Sequence, residues 1–295
     1  MIRGAIAIGS NSTRLLAAEK RDGALYRILR AREETRLFLG LDDQGMIAPE
    51  KLEETARAVA RLARQAREYG AESIHLFATS ATRDAGNGDV LAQRIRDLCG
   101  LKLQVISGRE EAELAFLAAA GRESRLVMDI GGGSTEMTLG REGRILSSFS
   151  AQLGASRLLK MQPIESLQDA LQARSMAENI LEEALHSLRP FFPAPPMVGL
   201  GGTCTTAAAI HMGCEAHGEQ VEGHIVTKEE AERQLHLLAG LSLGERMQVP
   251  GLPAARALHM PHGLCILTAA MALCGQERIQ ISGRTNLDGF LLHRL

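Results

Sequence analysis

Residues 4–16, GAIAIGSNSTRLL, read as a short apolar strand, a glycine-serine turn and the start of a second strand. Such a turn can wrap a phosphate with backbone N–H groups, because glycine lets the main chain approach the oxygens closely. An acidic residue is expected at the end of the first strand, where it would hold a hydrated cation against the phosphate. That position is Ala7.

The pattern returns in RLVMDIGGGSTEMTLG, residues 125–140. Ala7–Arg14 aligns with Asp129–Glu136, each position 122 residues after its counterpart, with Ile, Gly, Ser and Thr identical in place. The second copy has the aspartate that the first lacks. Each copy opens a β-hairpin that begins an α/β segment, so the chain reads as an internally duplicated fold with two phosphate turns facing each other.

After the first turn come two strands, TRLLAAEK and ALYRILRAREETRL, joined by RDG. A helix from Pro49 through Tyr69 follows, its apolar positions Leu52, Ala56, Val59, Ala60 and Leu62 spaced by three or four. SIHLFAT and KLQVIS read as strands, GDVLAQRIRDLCG and REEAELAFLAAAG as helices. Alternating strands and helices predict a largely parallel sheet covered on both faces. A third glycine turn, MVGLGGTCTTAAAI from Met197, joins a buried strand to a helix N-terminus, where free N–H groups and the helix dipole favour an anion. RPFFPAPP before it is a connector.

The 295 residues suit two domains, and the net charge of −2 offers no global field for nucleic acid. The five cysteines are odd in number, scattered and without a CxxC pair, which argues for free thiols in a reducing compartment. No signal pattern is seen at the N-terminus, and the longest apolar run, GLCILTAAMALCG from Gly263, is short for a membrane span and reads as a buried helix. The expected location is the cytoplasm, with no membrane partner.

Five ordered motifs, AIGSNSTRL, FATSATRDAGN, VISGREEAELAF, VMDIGGGSTE and GLGGTCTTAAA, resemble the exopolyphosphatase and guanosine-pentaphosphate phosphohydrolase family (Ppx/GppA) of the actin-like ATPase superfamily. The resemblance implies two ribonuclease-H-like α/β domains with a cleft between them, in the short two-domain form and compatible with a homodimer. Domain I is expected over 1–121, with the C-terminal helix (about 285–295) packing back onto it, and domain II over 122–284. The implied activity is release of terminal phosphate from inorganic polyphosphate, guanosine pentaphosphate or both, with Mg²⁺ or another divalent cation.

Hydrolysis of a phosphoanhydride needs an oriented water, neutralised charge on the transferring phosphoryl and a cradle for the remaining phosphates. Gly9, Ser10, Asn11, Ser12 and Arg14 of the first turn, and Gly131, Gly132, Gly133, Ser134 and Thr135 of the second, are the expected cradle, with Gly202 and Thr203 at the third. Glu110 and Glu111 begin one helix and point about 100° apart, so only one can face the site. The resemblance selects Glu111 as general base; an ordinary helix-start acid is the alternative for either. Asp129 is expected to hold the cation, and the resemblance adds Glu136 for metal or water positioning. Arg83 resembles a family arginine that contacts phosphate; a loop ion pair with Asp84 is its alternative. HMGCEAH (His211, Cys214, His217) has zinc-like spacing but a single thiol and an interior glycine, and it falls where the family has an ordinary helix and loop.

Four positions depart from the family pattern: Ala7 and Leu258, where aspartate is expected, and Gly283 and Thr285, where Ser-Asp-Arg-Gly is expected. An Asp at position 7 is expected to strengthen Mg²⁺ dependence and raise turnover. The departures keep a second reading open, a catalytically impaired protein that senses polyphosphate or an alarmone.

Overall fold

The computed structural model describes residues 1–121, 123–216 and 218–294. The chain forms two compact units, Met1–Leu114 with Asn286–Leu295, and Ala115–Thr285. The division falls inside a helix, earlier than the Gly121 expected from sequence.

In the first unit, β1 (Ile2–Ile8), β2 (Thr13–Arg21) and β3 (Ala24–Glu33) form an antiparallel meander. Helix α1 (Pro49–Glu68) carries the chain across to β4 (Ser73–Ala78), parallel to β1. The short α2 (Ser80–Arg83), then α3 (Gly88–Cys99), lead to β5 (Leu103–Val105), and α4 (Gly108–Ala119) begins in this unit. The sheet order is β3-β2-β1-β4-β5. β1 is buried along its last five residues because it is central and covered on both faces. Leu52, Ala56, Val59, Leu62 and Ala63 on one stripe of α1 pack into the apolar cluster on one side.

In the second unit, β6 (Arg125–Ile130), β7 (Thr135–Arg141) and β8 (Arg144–Ala151) repeat the meander. Helices α5 (Ala155–Met161) and α6 (Leu167–Ala184) precede β9 (Met197–Leu200), which lies parallel to β6. Next come α7 (Gly201–Met212), β10 (Ile225–Thr227), α8 (Lys228–Ala239), α9 (Leu243–Arg246), α10 (Met260–Leu273) and β11 (Arg278–Ile281). The order is β10-β11-β9-β6-β7-β8. The long apolar run lies in α10, which is buried on nearly every side. The last helix, α11 (Asn286–His293), belongs to the first unit, where buried Asp288 takes Arg27 and Arg30 of β3. This is the α/β class with two ribonuclease-H-like units that the sequence anticipates.

The duplication reaches local detail. Asp22-Gly23 and Glu142-Gly143 turn the two second hairpins, all four with positive φ as a two-residue turn of this hand requires. A bulge interrupts β2 at Ala17/Ala18 and β7 at Leu139/Gly140, again 122 residues apart.

Candidate active site

Both glycine turns close with the same hydrogen bond. Gly9 N donates to Ser12 O at 3.0 Å, and Gly131 N to Ser134 O at 2.9 Å. In the first turn the carbonyls of Ser10 and Asn11 accept from Phe38 N and Arg36 N. In the second, Gly131 O accepts from Ala155 N, Gly132 O from Ser156 N and Arg157 N, and Gly133 O from Arg157 Nε at 2.6 Å. A trans peptide carries its C=O and the following N–H on opposite sides. The amides of Asn11 and Ser12 therefore point away from the Arg36–Phe38 segment, and those of Gly132, Gly133 and Ser134 away from α5. Rows of N–H groups aimed one way make an anion-binding concavity. Glycine at 154 permits this in the second unit, since a Cβ there would sit 2.4 Å from the Gly132 carbonyl carbon.

In the first unit, α4 separates its two glutamates. Glu110 closes a capping box, its Oε2 accepting from Ser107 N at 2.9 Å and from Ser107 Oγ at 3.0 Å, while its own N–H donates to Ser107 Oγ. The Ser107 N–H, then the Ser107 hydroxyl and Arg294, hold the Glu110 carboxyl below its ordinary range. Glu111, one residue on, is 7% exposed. Its Oε2 lies 3.6 Å from Arg83 Nη1, which also donates to the Ile106 carbonyl at 2.9 Å. Arg14 reaches the buried Asn286, Nη2 to Oδ1 3.4 Å. Ala7 is completely buried, in an apolar cluster with Phe77, Ile106, Leu114 and Leu287, and Arg14 is its cross-strand partner.

In the second unit, Asp129 and Glu136 are paired directly across β6 and β7. Directly opposed residues put their side chains on the same face of a sheet, Cβ atoms about 5 Å apart. Both carboxylates are buried, and Glu136 Oε1 accepts from Ser150 Oγ at 2.6 Å. Thr135 is turned inward, donating its hydroxyl to Leu153 O. Gly201, at φ +79°, starts α7 against Asp129; a Cβ there would meet Asp129 Oδ1 at 2.3 Å. Gly202 lies under the Arg256 guanidinium, where a Cβ would meet Nη1 at 1.6 Å, and Thr203 is buried. Burial, reinforced by the Asp129 charge, pushes the Cys204 thiol far up, so it is no nucleophile.

The Ppx/GppA phosphatase family matches residues 16–295. The chain belongs to this family. Exopolyphosphatase 2 of Mycobacterium tuberculosis is 37% identical over 231 residues, which cover 72% of this chain and 72% of that protein. The guanosine-5'-triphosphate,3'-diphosphate pyrophosphatase of Vibrio atlanticus is 30% identical over 297 residues, 97% of this chain but only 57% of its own length. A solved exopolyphosphatase-like protein is similar with a TM-score of 0.92 at 25% identity, covering 99% of this chain and 97% of that one. The PPX-GPPA enzyme of Aquifex aeolicus gives a TM-score of 0.83 at 26% identity, with 99% of each chain covered.

Within this Ppx/GppA chain, Asp129 and Glu136 suit a hard divalent cation. Magnesium takes one or two carboxylates and fills its other positions with water and phosphate oxygens rather than an all-protein cage. Among the described residues no group of three or more His, Cys, Asp or Glu is placed to hold a metal. In the zinc-like segment, His211 Nδ1 lies 3.0 Å from His224 Nε2 and Cys214 is exposed; His217 lies outside the described residues.

Arg256 was invisible to sequence reasoning, since an arginine in an irregular LPAAR segment carries no pattern; only the fold brings it over Gly202. Gly283 has a local packing reason: a Cβ would fall 1.9 Å from the Gly218 carbonyl oxygen, and its N–H donates to Glu222 Oε2 at 2.7 Å. Leu258 is exposed at 42%. No helix among the described residues is long and apolar enough to cross a membrane, and all five cysteines are free thiols.

Proposed function

We propose that the protein is a divalent-cation-dependent phosphoanhydride hydrolase that releases terminal phosphate from inorganic polyphosphate, guanosine pentaphosphate or both. The observation that carries this reading is the Gly131–Ser134 turn, whose outward amides adjoin the cross-strand Asp129–Glu136 pair. Amides and carboxylates so arranged suit a phosphate that arrives with its cation. The relatives named for exopolyphosphatase and pyrophosphatase activity support the same class of substrate.

In this reading the amides of Gly132, Gly133 and Ser134, with those of Asn11 and Ser12, bind phosphate oxygens. Arg14 and the Gly202–Thr203 start of α7 complete the phosphate-binding set. Glu111 takes the proton from the attacking water at a carboxylate oxygen, and the water oxygen displaces the rest of the chain from the terminal phosphorus. Asp129 and Glu136 would hold Mg²⁺, which when bound would neutralise charge on the transferring phosphoryl group. The Ser150 hydroxyl fixes one oxygen of Glu136.

The test is phosphate release from long-chain polyphosphate and from guanosine pentaphosphate, with Mg²⁺ and with a chelator. Metal-dependent release from at least one is expected, and Asp129→Asn should lower it on the order of 10²- to 10³-fold. Tight binding of either compound without release would instead favour the sensor reading.

A further inference from the structure

Arg83 does not lie as a phosphate-gripping arginine should. It ends α2, directly after β4, and its side chain turns toward the β5–α4 connection. Nη1 donates to Ile106 O at 2.9 Å and stands 3.6 Å from Glu111 Oε2. Nη2 is buried without a hydrogen-bond partner among the described residues. The Arg83 side chain is 21% exposed and that of Glu111 9% exposed, so the two charges meet where solvent screens them little. The Ile106 carbonyl fixes the guanidinium plane, and Ile106 leads directly into the first turn of α4. One rigid fork thus spans the connection and the carboxylate that follows it.

We propose that Arg83 is a positioning residue for the general base: its guanidinium, anchored on the Ile106 carbonyl, holds the Glu111 carboxylate ionised and in place, so that it sets the rate through Glu111 rather than by gripping a phosphate. The inference rests on Glu111 being the base of the proposed function. Arg83 faces Glu111 from α2, and Arg284 donates to the Ala118 carbonyl further along α4. Glu110 is held by Ser107 and Arg294, Arg109 by Glu113, and Asp288 of α11 by Arg27 and Arg30.

A carboxylate that loses a neighbouring cation is protonated more readily, so its pKa rises and less of it is base at a given pH. The experiment combines steady-state kinetics on long-chain polyphosphate from pH 5 to 9 with a carbon-13 NMR titration of the Glu111 carboxyl, assigned through Glu111→Gln. Arg83→Gln is expected to lower kcat roughly 10- to 100-fold while KM stays within about threefold, consistent with a partly disabled general base. The acid limb of the rate profile and the Glu111 titration should both move to higher pH. Arg83→Lys, which keeps the charge, should bring both back toward wild type. A large rise in KM with an unmoved acid limb would assign Arg83 to phosphate and overturn the proposal. An identical Glu111 titration in wild type and Arg83→Gln would overturn it even if the wild type proved inactive, an outcome that would count separately against the proposed function.

Discussion

At the residue scale, position 7 separates what a pattern implies from what a packed site holds. The internal repeat calls for an aspartate there, yet Ala7 is 0% exposed in a cluster of apolar side chains. A carboxylate would lose its water among apolar neighbours, with Arg14 as its cross-strand partner. Ala7→Asp should therefore cost about 1–3 kcal/mol, visible as a fall of several degrees in thermal midpoint. An unchanged midpoint with a higher Mg²⁺-dependent rate would show that Arg14 and a cation take up the charge, as the sequence expects. The glutamate pair was legible more fully. Helical geometry says that two adjacent residues cannot share a face; that Glu110 is the one that caps the helix through Ser107 came from the structure. Which of them is buried needed coordinates.

At the scale of elements, both turns could be read from one octamer repeat because their closing bonds are local, Gly9 to Ser12 and Gly131 to Ser134. Their outward amides could not be read so directly. Those depend on which distant N–H groups take the turn carbonyls, from Arg36–Phe38 in one unit and from α5 in the other. Arg256 was hidden for the same reason. At the third turn, Gly201 combines φ +79° with a Cβ position 2.3 Å from Asp129 Oδ1. Gly201→Ala cannot fit without moving that carboxylate. Its phosphate release is expected to fall on the order of 10²-fold, with more Mg²⁺ needed for half-maximal rate. A near-wild-type rate at the same Mg²⁺ concentration would remove Asp129 from the cation site.

At the scale of the whole molecule, the two-unit architecture was legible because each copy of the octamer, 122 residues apart, opens a strand–turn–strand unit that begins an α/β segment. The boundary was not, because α4 runs through it without a break in composition. Stability should carry its own pH signature. His262 of α10 is fully buried, Nε2 donating to the Gln162 carbonyl, and burial pushes its pKa down to about 4. A histidine held neutral in the fold stabilises it above the unfolded pKa near 6.5, and that stability is lost as pH falls toward 4. The loss should reach roughly 3 kcal/mol, so wild type should lose more thermal midpoint than His262→Gln between pH 6.5 and 4; parallel curves would contradict it. The central claim is that this chain hydrolyses a phosphoanhydride with Glu111 as base. It is tested most directly by the initial rate of phosphate release from polyphosphate with saturating Mg²⁺, compared across wild type, Glu111→Gln and Glu110→Gln. The expected result is release by wild type, near-wild-type release by Glu110→Gln, and none above background by Glu111→Gln with the substrate still bound. Equal losses from the two substitutions, or full activity in Glu111→Gln, would contradict it.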